Sequence, residues 1–337
     1  MEENFSLRAE ARPGSTGMTI TAPAKLHQSP DSLRFLVARE VIHFPLSSFR
    51  KFLKFFSTHV ASGLWAILKI PPARERNKTL WLYLKFISRL MVFPFIRARR
   101  ISEEKVLGAT MKVADYGTFL GLTSEIFFHR IYSFETTSPS PMILDAGSNI
   151  GMSILFFKHL YPRCRVIGFE PDPQTFELLQ ANAQRNRWQG VDLHNKAVHS
   201  SEGDINFYSD PDRIASGKMS TVRERFPESA NRAVRCQKVQ TVRLSTFIQE
   251  EIDLLKMDVE GAEIAVISEL AASGRLRLIK EMFIEYHHHL KSDEDNLSRM
   301  LRPLEDNGFG YQISSSCDLP WARKSIQPML IYAYRNS

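Results

Sequence analysis

The chain has 337 residues, 43% of them hydrophobic and 24% charged, with a formal net charge of +7. Such a composition excludes a wholly disordered chain, and the charge is too mild at this length to argue for nucleic acid over a membrane surface or an acidic substrate. Cys164, Cys236 and Cys317 are the three cysteines, far apart and without a C-x-x-C pair, which argues against a disulfide framework or zinc site and for a reducing compartment.

Glu2 and Glu3 open the chain without a basic segment leading into an apolar core. A secretory signal is therefore not indicated, and a cytoplasmic location is expected. Residues 1–32 read as a loose polar tail. Residues 33–100 form an aromatic and basic extension in two stretches. The first holds Phe52, Leu53, Phe55, Phe56, Trp65 and Leu68 beside Arg50, Lys51 and Lys54. The second runs from Leu80 to Phe93, broken off from the first by Pro71 and Pro72. Both predict helices. Lys54 and His59 in one and Lys85 and Arg89 in the other speak against membrane spans. Two readings stay open. One is a basic amphipathic anchor over 50–97, peripheral to an anionic membrane. The other is a helical pair packed on the following domain or on a second copy, the usual fate of apolar stripes at helical spacing.

The rest, 101–337, is expected to be one catalytic domain. Residues 110–133 read as a β-rich or mixed lead-in. Pro141-Met142-Ile143-Leu144-Asp145-Ala146-Gly147-Ser148-Asn149-Ile150-Gly151 then gives a buried strand ending in an acid, a glycine-bracketed turn and a helix start. The glycines allow close backbone approach to a ligand. The helix N-terminus offers N–H groups, and Asp145 is placed to accept hydrogen bonds. The pattern D-x-G-x-N-x-G is not the dinucleotide spacing G-x-G-x-x-G. Arg165 to Pro171 is a second strand ending in Glu170, followed by a helix from Pro173 to Arg187. An acid there suits ribose hydroxyls, at the separation of about 20 residues expected of a βαβ unit.

Val191 to Val198 reads as a third strand, and Ile205 to Tyr208 as a returning one. The basic stretch from Asp210 to Lys238 reads as an insertion over the rim of the site or as a solvated loop. Asp253 to Glu263 runs a strand into Lys256, Asp258, Glu260 and Glu263. Like charges crowded at a strand end cost stability, so they point to a ligand, a proton transfer or a metal. Ile279 to His289 is a further strand with Glu285 and His287 on one side. His287 could act as a base or substrate contact, join carboxylates around a divalent ion, or simply mark a polar strand end. A helix over 295–307 capped by Gly308 and two last strands, 309–313 and 329–334, complete the chain.

In order, Ile143 to Gly151, Gly168 to Pro171, Asn195 to Val198 and above all Lys256-Met257-Asp258-Val259-Glu260-Gly261-Ala262-Glu263 resemble the FkbM family of S-adenosylmethionine (SAM) dependent methyltransferases. The last is close to that family's K-x-D-V-E-G-x-E signature. The resemblance implies a Rossmann-like class I methyltransferase fold. Its sheet would be mostly parallel and seven-stranded, with an antiparallel terminal strand. SAM would be the cofactor, and a metal is left open without being expected. Asp145, Gly147 and Gly151 would hold the methionine end with Asn149 close by; Glu170 would hold the ribose, and Ala197 would lie near the adenine. Asp258 and His287 are the candidates for removing the acceptor's proton, supported by Glu260 and Glu285, with Lys256 in the same cluster. The implied acceptor is a hydroxyl on a sugar, glycolipid or natural product. An RNA methyltransferase and a non-catalytic SAM or nucleotide-binding module remain as alternatives. The first lacks an N/D-P-P-Y type motif and any visible RNA-binding appendage. Homo-oligomerisation is left open.

Overall fold

The computed structural model describes residues 62–70, 73–96, 102–211, 214–215, 219–226, 234–290, 296–315 and 326–335. The expected tail, the aromatic cluster at 52–56, and Arg213, Lys218 and Arg232 of the basic stretch lie outside them.

Helices α1 (Ser62–Leu68) and α2 (Ala73–Ile96) come first. Leu82, Tyr83 and Phe86 share one face of α2 and are buried. Their target is Phe128, whose ring meets those of Tyr83 and Phe86 edge-on at 5.3 and 5.1 Å. α1 packs close because Gly63 lacks a side chain: a Cβ there would stand 3.3 Å from Tyr83 and 3.7 Å from Phe128.

The hairpin of β1 (Glu103–Val106) and β2 (Ala109–Lys112) follows. Of the expected β-rich or mixed lead-in, the β part ends there, and the rest of 110–133 is mostly helical. Asp115 accepts the Thr118 N–H at 2.6 Å and caps α3 (Tyr116–Thr123). The chain continues in one wide π-turn over Ser124–Phe128, where the His129 N–H reaches back to the Ser124 carbonyl. Tyr116, Phe119, Leu120 and Thr123 recur at helical spacing and are all buried, so the period is 3.6 rather than 2.

The main sheet contains β3 (Met142–Ala146), β4 (Arg165–Phe169), β5 (Val191–His194), β10 (Ile252–Met257), β11 (Ile279–His288), β12 (Phe309–Ser315) and β13 (Gln327–Arg335). Its order is β12-β13-β11-β10-β3-β4-β5. The four pairings among β3, β4, β5, β10 and β11 are parallel, and β13 runs antiparallel to both β11 and β12. The seven-stranded, mostly parallel expectation holds. All five residues of β3 and all six of β10 are buried, as central strands covered on both faces require. Helices α4 (Met152–Leu160) and α5 (Pro173–Arg185) make the crossovers. α6 (Glu263–Ala272) and α7 (Ser298–Asp306) pack together beside the other half.

The expected third strand divides. Val191–His194 stays in the main sheet, and the chain leaves at Asn195, whose Nδ2 donates to the carbonyls of Glu170 and Pro171 at 2.8 and 3.1 Å. Ala197–His199 (β6) then joins a second sheet with β7 (Gly203–Ser209), β8 (Met219–Ser220) and β9 (Arg235–Arg243), in the order β6-β9-β7-β8. Ala197, Phe207, Met219 and Val239 form its small core.

Phe128 thus joins the helical pair to the π-turn. Phe128→Ala should cost about 3–5 kcal/mol, the usual cost of emptying a buried aromatic site. Thermal unfolding would measure it, and a variant as stable as wild type would show that this joint carries no load.

Candidate active site

The strand order reverses between β3 and β10, with β4 and β5 extending the sheet one way and β11 the other. Open α/β sheets leave a crevice at such a switch point, beyond the carboxyl ends of the strands. The loops after β3 and β10 meet in it. Gly147 has φ +92°, and a Cβ there would lie 2.0 Å from the Asp258 carbonyl oxygen. Only glycine lets the two backbones pass this closely. The Gly147 and Ser148 N–H groups donate to the Phe169 carbonyl at 3.0 and 2.8 Å, and the Asp258 N–H to that of Ala146 at 2.9 Å. Backbone hydrogen bonds therefore knit the ends of β3, β4 and β10 together.

Lys256 lies beside Asp145 in the register of β10 on β3. Its Nζ donates to the Gly147 carbonyl at 2.5 Å and stands 3.5 Å from Asp145 Oδ1 and 3.9 Å from Asp258 Oδ2. Burial alone would lower its pKa, but Asp145, Asp258 and Glu285 hold it above the ordinary lysine value. Asp145 is fully buried and accepts a 2.6 Å bond from Ser153 Oγ.

A cavity with about 1090 Å³ of empty space, part of it open to solvent, lies over these loops. Gly147, Asn149, Glu170, Ala197, Lys256, Asp258, Glu260 and Glu285 all line it. Eight of the eleven expected site residues therefore share one cleft. Asp145, Gly151 and His287 are not on its wall. Asp145 sits behind the loop, tied to Ser153 and Lys256. Gly151 has φ +91° and begins α4; a Cβ there would press on Leu179 and Trp188 at 2.8 and 3.0 Å, so its lack of one serves the packing of α4 on α5. Asn149, itself at φ +48°, donates its N–H to Glu170 Oε2, while Oε1 accepts from the Asp172 N–H, both at 2.9 Å. Burial pushes Glu170 up to about 8 against these two donors. Each oxygen keeps a lone pair for a further partner.

His287 departs from the expectation of a base. Its Nδ1 lies 2.9 Å from Glu263 Oε1 and its Nε2 3.1 Å from Glu260 Oε2. Burial would lower its pKa, but these two carboxylates raise it to about 10. Both ring nitrogens thus already face carboxylates and offer no free site to an acceptor's proton, while burial pushes Glu260 itself well above the usual carboxylate range. Asp258, Glu260 and His287 do place one ligating atom each within 4.8 Å of one another. Yet Arg225 pairs with Glu260 at 2.5 Å, and a protonated histidine with an arginine beside it is an unfavourable ligand set for a cation.

Glu285 is different. Asp258 beside it, and burial, raise it to about 7. In the sheet, Met257 pairs with Ile284, so the next residues on the two strands, Asp258 and Glu285, come together at the strand ends. Two further wall residues carry no motif signal: Glu125 from the π-turn and Tyr132 beyond it. Tyr132 is buried, and its ring lies 5.7 Å from Lys256 Nζ. Thr118, Leu122 and Ile126 complete that side. Met219, Thr221 and Arg225 bring part of the basic stretch to the opposite rim.

The family model for the methyltransferase FkbM domain matches residues 145–311. The 31-O-demethyl-FK506 methyltransferase FkbM of Streptomyces tacrolimicus is 31% identical over 229 residues, which cover 60% of this chain and 86% of that protein. The chain belongs to the FkbM methyltransferase family. Among other relatives, Methyltransferase 1 of Beauveria bassiana is 27% identical over 227 residues, 63% of this chain and 88% of that protein. The 2-O-methyltransferase NoeI of Sinorhizobium fredii is 31% identical over 175 residues, 48% of this chain and 69% of that protein. Both loop clusters of this FkbM-family chain fall inside the family match. The Thr118–Tyr132 side of the cavity precedes it.

His287 gains its partners on folding, so its raised pKa makes stability depend on pH. Its contribution is complete below the unfolded value of 6.5 and is lost as pH rises towards about 10. The stability gap between wild type and His287→Gln should therefore narrow across that window, as thermal unfolding at several pH values would read. A gap that widens with pH would mean the ring is neutral in the folded protein.

Proposed function

We propose that this protein transfers a methyl group from SAM to a hydroxyl of a small-molecule or saccharide acceptor. The observation that carries the reading is the shared cleft: the Gly147 loop, Glu170 and the Asp258–Glu285 pair face one cavity at the switch point of the sheet. Family membership supports methyl transfer. The names of the relatives support oxygen as the acceptor atom, since one is called a 2-O-methyltransferase and another a 31-O-demethyl-FK506 methyltransferase.

The cavity suits SAM on its own geometry. The crossing at Gly147 leaves backbone, not side chain, facing the cavity. Glu170 keeps lone pairs for a vicinal diol. Ala197, Val198, Phe207 and Met219 offer an apolar slot for a flat heterocycle. Gly147, Ser148 and Asn149 would hold the methionyl part, Glu170 the ribose, and Ala197 the adenine side. Lys256 and Asp145 fix the loop from behind. When bound, SAM supplies an electrophilic methyl group on a sulfonium centre.

The rest is the work of the chain. The two loops and the Thr118–Tyr132 wall fix the acceptor in line, and alignment of this kind can supply about 7–11 kcal/mol. The acceptor hydroxyl gives its proton to a carboxylate oxygen of the Asp258–Glu285 pair. Asp258 beside Glu285, and burial, raise Glu285 to about 7, which suits a base. His287 keeps Glu260 in place from outside the cavity and takes no proton.

Thermal shift tests the cofactor: SAM should raise the Tm and NAD should not. Asp258→Ala should keep that shift and lose about 10²–10⁴-fold in labelled-methyl transfer to glycan or small-molecule extracts. Loss of both would assign Asp258 to the cofactor instead, and no shift with wild type would end the SAM reading. In wild type, kcat/KM should rise with pH through about 7 as Glu285 loses its proton. Glu285→Gln should abolish or displace that limb; an unchanged profile would remove Glu285 from the proton path.

A further inference from the structure

The helices α1 and α2 carry large apolar side chains on the faces turned away from the domain. Trp65 is 63% exposed, Leu68 59%, Trp81 74% and Leu84 49%. On α2, Trp81 and Leu84 sit together on this exposed face. Asn77, Trp81, Leu84 and Ser88 recur at i, i+4, i+7 and i+11, opposite the buried Thr79, Leu82, Tyr83 and Phe86. Two tryptophans this exposed are costly to leave in water.

We infer that α1 and α2 rest on an anionic lipid bilayer. The charge around this face selects the occupant. Between residues 62 and 96 there are six lysines and arginines and one acid, Glu75, and residues 97–100 add three arginines in sequence. Lys85 and Arg89 are turned to Glu104 of the domain, at 2.5 and 3.2 Å, so the excess of positive charge rests on the other cations. Glu75 is already taken, by Lys78 at 3.0 Å and His159 at 2.6 Å. Lys69 Nζ stands 3.1 Å from the centroid of the Trp65 ring. An indole beside an ammonium group is the pairing that settles at the headgroup level of a membrane, apolar ring inward and charge outward. Cationic side chains around such a face draw it to anionic lipid. A second copy of the chain fits worse. A two-fold contact would set the same cations against each other. Among the described residues no helix is long and apolar enough to cross a membrane, so the pair lies on the surface.

The seat also bears on the cavity. The buried face of α2 grips Phe128, and the same π-turn puts Glu125 and Ile126 on the cavity wall. The membrane-facing pair is therefore braced against one side of the site.

The test is flotation of the full chain with vesicles of equal parts phosphatidylglycerol and phosphatidylcholine, against vesicles of phosphatidylcholine alone. The wild type should float with the anionic vesicles only, and less at high salt. The double variant Trp65→Ser, Trp81→Ser should lose about tenfold or more in bound fraction. Its Tm should stay unchanged, because neither indole is buried. Three results would overturn the inference. The wild type could remain in solution with anionic vesicles. The variant could float as well as wild type. Sedimentation could show a dimer of the wild type that the variant abolishes, which would give the face to a second copy. None of these readouts depends on methyl transfer, so failure here leaves the proposed activity standing.

Discussion

Lys256 reaches from the end of β10 to the Gly147 carbonyl and stands between Asp145 and Asp258. The rest of the site depends on this buried ammonium group. Parallel register brings Lys256 to Asp145, and the bare Cα of Gly147 lets the loop come within reach. Without the cation, two carboxylates would face each other in a place with little water to screen them. Removing one partner from such a buried arrangement typically costs about 3–5 kcal/mol. With it, the loop after β3 and the loop after β10 behave as one rigid edge, against which a ligand can be held.

Five acids gather around that edge, and their environments sort them into different tasks. Glu260 and Glu263 are spent on His287, Arg225 and the backbone of Gly261. Glu170 is anchored by two backbone N–H groups. Asp258 and Glu285 remain, and their mutual repulsion raises Glu285 into the neutral range. Clamping Glu260 between His287 and Arg225, and Glu263 on His287, while Glu285 is left to titrate lets one small region be both rigid and reactive. Glu260 itself sits at φ +56°, a conformation that the clamp from His287 and Arg225 helps to hold.

The sequence announced those features that leave a local trace. Gly147 and Glu170 stand at the ends of apolar runs, and the acids after Met257 break an otherwise buried strand, so both loops were legible. The seven-stranded, mostly parallel sheet was what the resemblance implied, and its strand order came only from the fold. Features that depend on distant neighbours were not legible. Whether His287 is a base or a fixed cation is decided by Glu263, at the start of a helix that only the fold brings to it. Asp145 was assigned to the ligand; that Ser153 and Lys256 also hold it could not be read from the sequence. The division of the third strand at Asn195 is set by two carbonyls across the turn. Tyr132 and Glu125 belong to no motif, and only the packing of the π-turn against the sheet brings them to the cavity.

That last arrangement divides the site by origin. The loops that face the donor side come from within 145–311, the span shared with the FkbM family. The opposing wall comes from Thr118, Leu122, Glu125, Ile126 and Tyr132, all upstream of it. Under the proposed function, an acceptor would therefore meet a wall that lies outside the span matched by the family model. Substitutions in that wall would change the shape of the cleft while leaving the two loops untouched.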